Sequence, residues 1–218
     1  MRYEGKRLDM TMMFAVHDAF RRDLQVLERL TSSPDDDPWL VLRAAVGWEL
    51  FKRHLRVHHT TEDVALWPAM ERRLAGRQPE LELMAAMEAE HSLVDPLLAG
   101  VDAALADRDG GPDRLGAAVE ALSSALRGHL GHEERDALPL IDATLPEEEW
   151  SAVGQEHGTR IGDGASRYLP WVLDGLDPAV AARILGGFPP PLLQAYEAEW
   201  RPAYEALDLW PTPRTPGR

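Results

Sequence analysis

Three histidines and an acidic pair share one short stretch of this chain, HLRVHHTTEDVALWP at residues 54–68. Read as a helix, the stretch places His58 and Glu62, four residues apart, one above the other on one face. The stretch HLGHEERDALP at residues 129–139 repeats this spacing, and in both copies a proline follows ten residues after the histidine. An imidazole and a carboxylate that point inward from one helix are suitable ligands for a transition metal. Two such helices facing each other therefore predict a site for two metals.

Four long helical patterns surround these stretches. Apolar residues recur every three or four positions at about 8–30, 38–74, 79–106 and 112–144, which is the spacing of helices that pack in a bundle. The segments between them are short and rich in Gly, Pro and Asp, and no alternating strand pattern appears. The predicted fold is all-α, an up-down-up-down four-helix bundle at residues 8–144.

The remaining third of the chain has a different pattern. Residues 146–210 contain shorter helical segments rich in Tyr and Trp, which we expect to pack across the bundle or on a partner subunit. Residues 211–218 are predicted to form a disordered or extended tail. Within the bundle, Pro68 and Pro96 are expected to bend their helices, because proline lacks a donor and crowds the preceding turn.

The composition narrows the possible classes of function. The chain has 218 residues, and its 23 basic and 37 acidic residues give a net charge of −14, which argues against a nucleic-acid partner. The absence of cysteine excludes disulfides and thiolate ligands. No secretory signal and no apolar run long enough for a membrane span are found. We therefore expect a soluble cytoplasmic protein with no membrane partner.

One histidine lies on the apolar stripe of each predicted bundle helix, and two of these helices add a glutamate on the same stripe. A lone histidine on such a stripe is more often an ordinary core residue. Ionised glutamate, however, is rarely buried without partners, so four histidines with two glutamates favour metal ligation. The predicted ligands are His17, His58, Glu62, His91, His129 and Glu133.

Three further histidines lie beside this set. His59 and His132 are about 100° round the helix from the ligand stripe, so we expect them to face a neighbour or water. His54 is on the stripe, one turn before His58. It is interpreted as a pocket residue and a candidate catalytic proton donor, and roles outside the first ligand shell or in the core stay open.

These motifs resemble the hemerythrin-like proteins, also called the HHE cation-binding domain. The matching elements are His17, His58-x-x-x-Glu62 followed by Leu66-Trp67-Pro68, Glu90-His91, and His129-x-x-x-Glu133 followed by Leu138-Pro139. The resemblance implies a four-helix bundle that holds two non-haem iron ions, bridged by carboxylates or by an oxo group. It also implies that Glu62 and Glu133 are the bridging residues and that the histidines are terminal ligands.

One position departs from the pattern of the oxygen-carrying hemerythrins. Those proteins have a further histidine four residues after the one that matches His91, and this chain has Asp95 there. We expect Asp95 to be a metal ligand or to hold a metal-bound water. The site would then be more anionic than one with five histidines and would favour ferric iron, which argues against simple reversible carriage of oxygen.

The ferritin-like di-iron pattern is the nearest alternative to this interpretation. It requires Glu-x-x-His on two helices, and only Glu88-x-x-His91 fits here. We therefore expect a di-iron protein that binds or reacts with a small ligand, namely oxygen, nitric oxide or hydrogen peroxide, with peroxide detoxification as one such activity. The alternatives are a non-enzymatic iron or oxygen sensor that acts through a partner, and a structural bundle with a vestigial site. A homodimer is left open.

Overall fold

The computed structural model describes residues 5–32 and 37–210, and every regular element within them is a helix. The predicted all-α class is confirmed. The predicted tail at 211–218 lies outside the described residues. In the part of the chain that is described, no helix is both long and apolar enough to cross a membrane.

The N-terminal two thirds of the chain form helices α1 to α7, of which α1, α3, α5 and α6 are the long ones. Their bounds are α1 Thr11–Ser32, α2 Pro38–Ala44, α3 Val46–Thr61, α4 Trp67–Arg73, α5 Gln78–Ala106, α6 Gly111–His132 and α7 Leu138–Thr144. The helix expected at 38–74 is divided, because Ala45 has an extended ψ of 114°. α5 continues through Pro96 as one uninterrupted helix.

Within the described residues three helices contain a π-helical turn, and each turn ends two residues before a proline. The turns are Glu62–Leu66 before Pro68, Glu133–Ala137 before Pro139, and Tyr196–Trp200 before Pro202. In an α-helix the proline ring would clash with the carbonyl four residues earlier. In the first two turns a wider bond replaces the usual one, because the N–H groups of Trp67 and Leu138 donate to the carbonyls of Glu62 and Glu133, five residues back. The bend predicted at Pro68 therefore takes the form of a π turn.

The C-terminal residues form shorter helices that pack on the long ones. These are α8 Glu147–Ile161, a 3₁₀ turn Gly162–Gly164, α9 Ala165–Leu173, α10 Pro178–Gly186, α11 Pro190–Ala195 and α12 Arg201–Glu205. α8 lies on α3 and its π turn, and α9 lies on α1. Residues 146–210 together form a unit that we name the C-terminal extension.

The core consists of two apolar clusters with a polar layer between them. One cluster takes Leu8 and Met10, which precede α1, and Phe14 of α1, together with Leu66 and Met87. The other contains Val16 and residues further along α1, together with Leu55 and Val94. Along α3 and α5 the predicted ligands fall between the two clusters, and on α1 His17 lies three residues after Phe14, close to where the clusters meet. The helices that form both clusters therefore fix the position of the site along their axes, between the two clusters.

The C-terminal end of the extension contacts α3, the helix that carries His54, His58 and His59. The Gly47 N–H of α3 donates to the Leu209 carbonyl at 2.8 Å. A Cβ at Gly47 would lie 2.5 Å from the Trp210 ring and 2.8 Å from the Leu209 carbonyl oxygen. Because real Cβ contacts are not this short, the close approach depends on glycine.

Gly47→Ala should therefore displace the 209–210 segment and destabilise the chain by about 1–3 kcal/mol, the usual cost of overpacking. Thermal unfolding and limited proteolysis of the C-terminal end measure the effect. Gly100→Ala is the matched control, since Gly100 is helical, exposed and free of neighbours within 4 Å. Equal stability of the two variants would show that the segment is not docked on α3.

Candidate metal centre

Five buried imidazoles and two buried carboxylates converge in the polar layer between the two apolar clusters. Their ligand atoms form two groups, within each of which all atoms lie within 4.8 Å of one another. The first group, subsite A, is His17, His58, Glu62 and Glu133, and the second, subsite B, is His59, His91 and His129. The structure thus brings together all of the sequence-predicted ligands except Asp95, and adds His59.

The nitrogens face each other at a spacing that suits metal ligands. The Nε2 atoms of His17 and His58 are 3.2 Å apart, and those of His91 and His129 are 3.0 Å apart. Two imidazole nitrogens at right angles on one ion, with bonds of about 2.0–2.1 Å as at zinc, would be separated by about 3 Å. The donor set consists of nitrogen and oxygen without sulfur, which suits iron, zinc or manganese.

Glu62 connects the two subsites. Its Oε1 lies 3.4 Å from Nε2 of His58, and its Oε2 lies 3.4 Å from Nε2 of His91. Glu133 is placed similarly, because its Oε2 is 3.2 Å from Nε2 of His17 and 4.0 Å from Nε2 of His129. Each carboxylate is therefore within reach of both subsites, as a bridging ligand must be.

All four oxygens of these two glutamates are buried and lack a hydrogen-bond partner. Burial raises the pKa of Glu62 well above its ordinary value, and repulsion from Glu133 adds to the shift. Burial also disfavours the charged form of Glu133, but the charge of His17 outweighs it and lowers the pKa of Glu133. Unpaired buried carboxylate oxygens are costly, and metal ions would satisfy them, so the residues fit the group that the motifs imply.

A ring of acidic side chains orients the histidines from outside. Nδ1 of His17 is 2.9 Å from Glu134, Nδ1 of His91 is 2.7 Å from Asp63, and Nδ1 of His129 is 2.9 Å from Glu90. When Nδ1–H donates to a carboxylate, the Nε2 lone pair is left to bind a metal. Sequence reasoning assigned these three residues no role. The signal was present, because each is the immediate neighbour of a predicted ligand.

His59 corrects one expectation. It was expected to face a neighbour or water and to lie outside the ligand set, whereas it is 6% exposed and its ring stacks on His91 of α5 at 4.0 Å between centroids with an interplanar angle of 10°. The apolar stripe identifies only the residues that point in one direction from the helix. The two subsites together are wider than one such stripe, so His58 reaches subsite A and the adjacent His59 reaches subsite B. His132, by contrast, is partly exposed and bonds Glu90 at 2.7 Å.

The position of Asp95 corrects a second expectation, that this residue is a metal ligand or holds a metal-bound water. Its side chain is 74% exposed and pairs with Arg56 of α3 at 3.3 Å, so it does not join either subsite. α5 runs on without interruption through Pro96, which leaves Asp95 on the rim of the bundle. The structure instead places a fifth imidazole, that of His59 from α3, beside His91 and His129.

His54, the candidate proton donor, is buried beside the subsites but belongs to neither. Its ring lies 5.1 Å from the Tyr168 ring and 4.4 Å from the Trp171 ring, both from the C-terminal extension. Its Nδ1 has no hydrogen-bond partner. Burial lowers the pKa of His54 to about 3, so at neutral pH the ring is uncharged. Its catalytic role stays a prediction.

The sequence model of the hemerythrin HHE cation-binding domain matches residues 9–141, which cover all seven side chains of the two subsites. The chain belongs to the hemerythrin family. This confirms the resemblance drawn from the motifs. No curated protein and no solved structure gives a significant match to the chain.

The acidic ring gives a direct test of the hemerythrin-type site. Glu90 accepts from His129 through one oxygen and from His132 through the other. Glu90→Gln should turn one of these acceptors into a donor that opposes an imidazole N–H. We expect metal binding to weaken by about 10–100-fold, as is usual when such partners are lost.

Metal titration of the two proteins measures the change. Glu88→Gln is the matched control, because Glu88 lies two residues away on the same helix and is exposed. An unchanged affinity in Glu90→Gln would mean that the ring does not orient the ligands.

Proposed function

We propose that the chain is a dinuclear non-haem iron protein that binds a small uncharged ligand: oxygen, nitric oxide or hydrogen peroxide. The observation that carries this proposal is the group of four buried, unpartnered carboxylate oxygens among five imidazoles. Without metal, the protein core compensates these oxygens only in part, through the 3.2 Å contact between Nε2 of His17 and Oε2 of Glu133. Iron is the metal expected from the family resemblance and suits the nitrogen and oxygen donors. An up-down-up-down order of the four long helices is part of the proposal.

The two subsites offer different numbers of ligands. Subsite A has two imidazoles, those of His17 and His58, whereas subsite B has three. Oε2 of Glu62 is 3.4 Å from His91 and Oε2 of Glu133 is 4.0 Å from His129, so both glutamates would bridge the two metals. Subsite A would then have fewer protein ligands than subsite B and more room for an external ligand. Two iron ions would supply reversible electron transfer to a bound diatomic or peroxidic ligand.

Aromatic side chains enclose subsite A. The Phe20 ring lies 5.5 Å from His58 and 5.1 Å from Trp171, which in turn contacts His54. Such a wall excludes water and is poor at accommodating charge, which favours a small neutral ligand. The five imidazoles also remove the reason for disfavouring reversible oxygen binding, because that reason depended on an Asp95 ligand.

A second candidate is a sensor, and the position of the extension favours it. Trp171 contacts Phe20 and His54, and its Nε1 donates to the buried Asp23 of α1 at 2.7 Å. A change at His58 can therefore reach the extension through directly packed rings. In this candidate, occupancy of the site would shift the packing of α9 and be read by a partner, which could be a second copy of the chain.

Metal content tests the dinuclear assignment. The iron-loaded chain should hold two metal ions, and Glu62→Gln should hold at most one, because a neutral amide bridges two cations poorly. Elemental analysis after iron-replete expression measures both. Glu71→Gln, an exposed glutamate on α4, is the control and should retain two. Two ions in Glu62→Gln would refute its bridging role.

Ligand reactivity tests the function itself. The reduced protein should change its visible absorption on mixing with oxygen, nitric oxide or hydrogen peroxide in stopped-flow measurements. His59→Asp should speed loss of the oxygen-dependent spectrum, because it adds a negative charge that favours ferric iron. Asp95→His should behave as the wild type, because Asp95 lies at the surface.

The pattern of reactivity separates the candidates. Recovery of the spectrum on removal of oxygen identifies a binding protein, and evolution of oxygen from peroxide identifies detoxification. No spectral response to any of the three ligands would contradict the proposal.

A further inference from the structure

A cleft of about 70 Å³ leads from the surface to subsite B between α3 and α5. Its outer rim carries exposed charged residues, Arg56, Asp63 and Asp95, whereas its inner wall is formed by buried residues that include His59 and His91. A space of this size holds a few water molecules. The cleft therefore joins solvent to two of the three imidazoles of subsite B.

The inner end of the cleft is formed in part by a histidine with an unpaired ring nitrogen. Nε2 of His59 is buried and has no hydrogen-bond partner, although the residue lines the cleft. The neighbouring His91 is held by Asp63 through Nδ1 at 2.7 Å. A buried imidazole nitrogen without a partner is costly in a metal-free protein, and His59 offers one ligand nitrogen within 4.8 Å of those of His91 and His129.

The opposite side of the centre is closed by the C-terminal extension. Tyr168 and Trp171 are 6% and 1% exposed, and they cover His54, one turn from His58. An ion would have to displace packed aromatic rings to reach subsite A from that side. The cleft beside subsite B requires no such displacement.

The charges at the rim favour a cation. The rim carries two carboxylates, those of Asp63 and Asp95, and one guanidinium, that of Arg56, so its net charge is negative. The chain as a whole carries a charge of −14. Arg56 and Asp95 lie on different helices, and their 3.3 Å ion pair spans the mouth. Because both side chains are largely exposed, the pair is weak and can be exchanged for another cation.

We propose that this cleft is the route by which a divalent metal ion reaches the dinuclear centre, a step that rests on the proposed function. Asp95 attracts the hydrated ion at the rim, in competition with Arg56. The ion then loses part of its water and passes to His59, whose Nε2 has no hydrogen-bond partner in the protein. Asp95 thereby acts in loading and is not a ligand of the filled site.

The rate of loading tests the route. Metal-free full-length protein is mixed with Co²⁺, whose absorption reports binding to nitrogen and oxygen ligands, in a stopped-flow instrument at low and high salt. Arg56→Gln should load several-fold faster and Asp95→Asn several-fold slower at low salt, with both differences shrinking as salt screens the rim. Both variants should reach the same final stoichiometry and spectrum as the wild type.

Two charge-neutralising controls are available at the other end of α5. Arg114→Gln removes a guanidinium that pairs with Asp107, and Asp109→Asn removes an exposed carboxylate of the same turn. That turn begins about 20 Å along the helix from His91. These controls change the net charge by the same amount as the cleft variants, so they should load at nearly the wild-type rate.

Equal loading rates in the cleft variants and the controls would overturn the route while leaving the dinuclear centre intact, provided that Co²⁺ still fills it. Faster loading in both cleft variants would overturn the attraction assigned to Asp95. Failure of Co²⁺ and of Fe²⁺ to bind at all would overturn both the route and the proposed function.

Discussion

Two glutamates buried between two apolar cores are the constraint on which the rest of this structure depends. Glu62 and Glu133 are 1% and 0% exposed, and their oxygens have no hydrogen-bond partner. Removing an ion from water costs several kcal/mol even after relaxation, which is comparable to the whole stability of an ordinary domain. The fold tolerates this cost only if something positive compensates it. In the metal-free chain, proton uptake by Glu62 and the His17–Glu133 pair do so in part, because the carboxylates of Glu133 and Glu134 raise the pKa of His17 despite its burial.

The repeated prolines are connected with this constraint. In both motif copies the π turn begins at the buried glutamate itself and ends two residues before the proline. π turns are rare and occur often at functional sites. Proline thus fixes where the helix widens, and the widened turn lies where the two glutamates must approach each other. Trp67 and Leu138, which follow the turns directly, belong to the apolar cluster that also contains Leu66 and Met87, so each turn connects the site with the core beside it.

Much of the site could be predicted from the sequence because helical spacing is a local property. A histidine on each stripe and a glutamate four residues after two of them were enough to find His17, His58, Glu62, His91, His129 and Glu133. The sequence could not show that the site is wide enough for His59 beside His58, since that depends on the distance between packed helices. Asp95 was misplaced for a related reason. Position within a helix gives a direction, but only packing decides whether Arg56 or a metal lies in that direction.

The two sides of the centre are built for different tasks. Subsite A, with two imidazoles, is covered by Trp171, Tyr168 and Phe20, whereas subsite B, with three imidazoles, borders a cleft with charged residues at its rim. A small neutral ligand can diffuse through packed aromatic side chains as they fluctuate, but an ion cannot do so without a large desolvation cost. If the proposed function is correct, separate faces would allow the chain to take up metal through polar surroundings while the side that binds the small ligand stays dry. The extension contributes to this asymmetry, because the Tyr168 and Trp171 rings that cover His54 both come from α9.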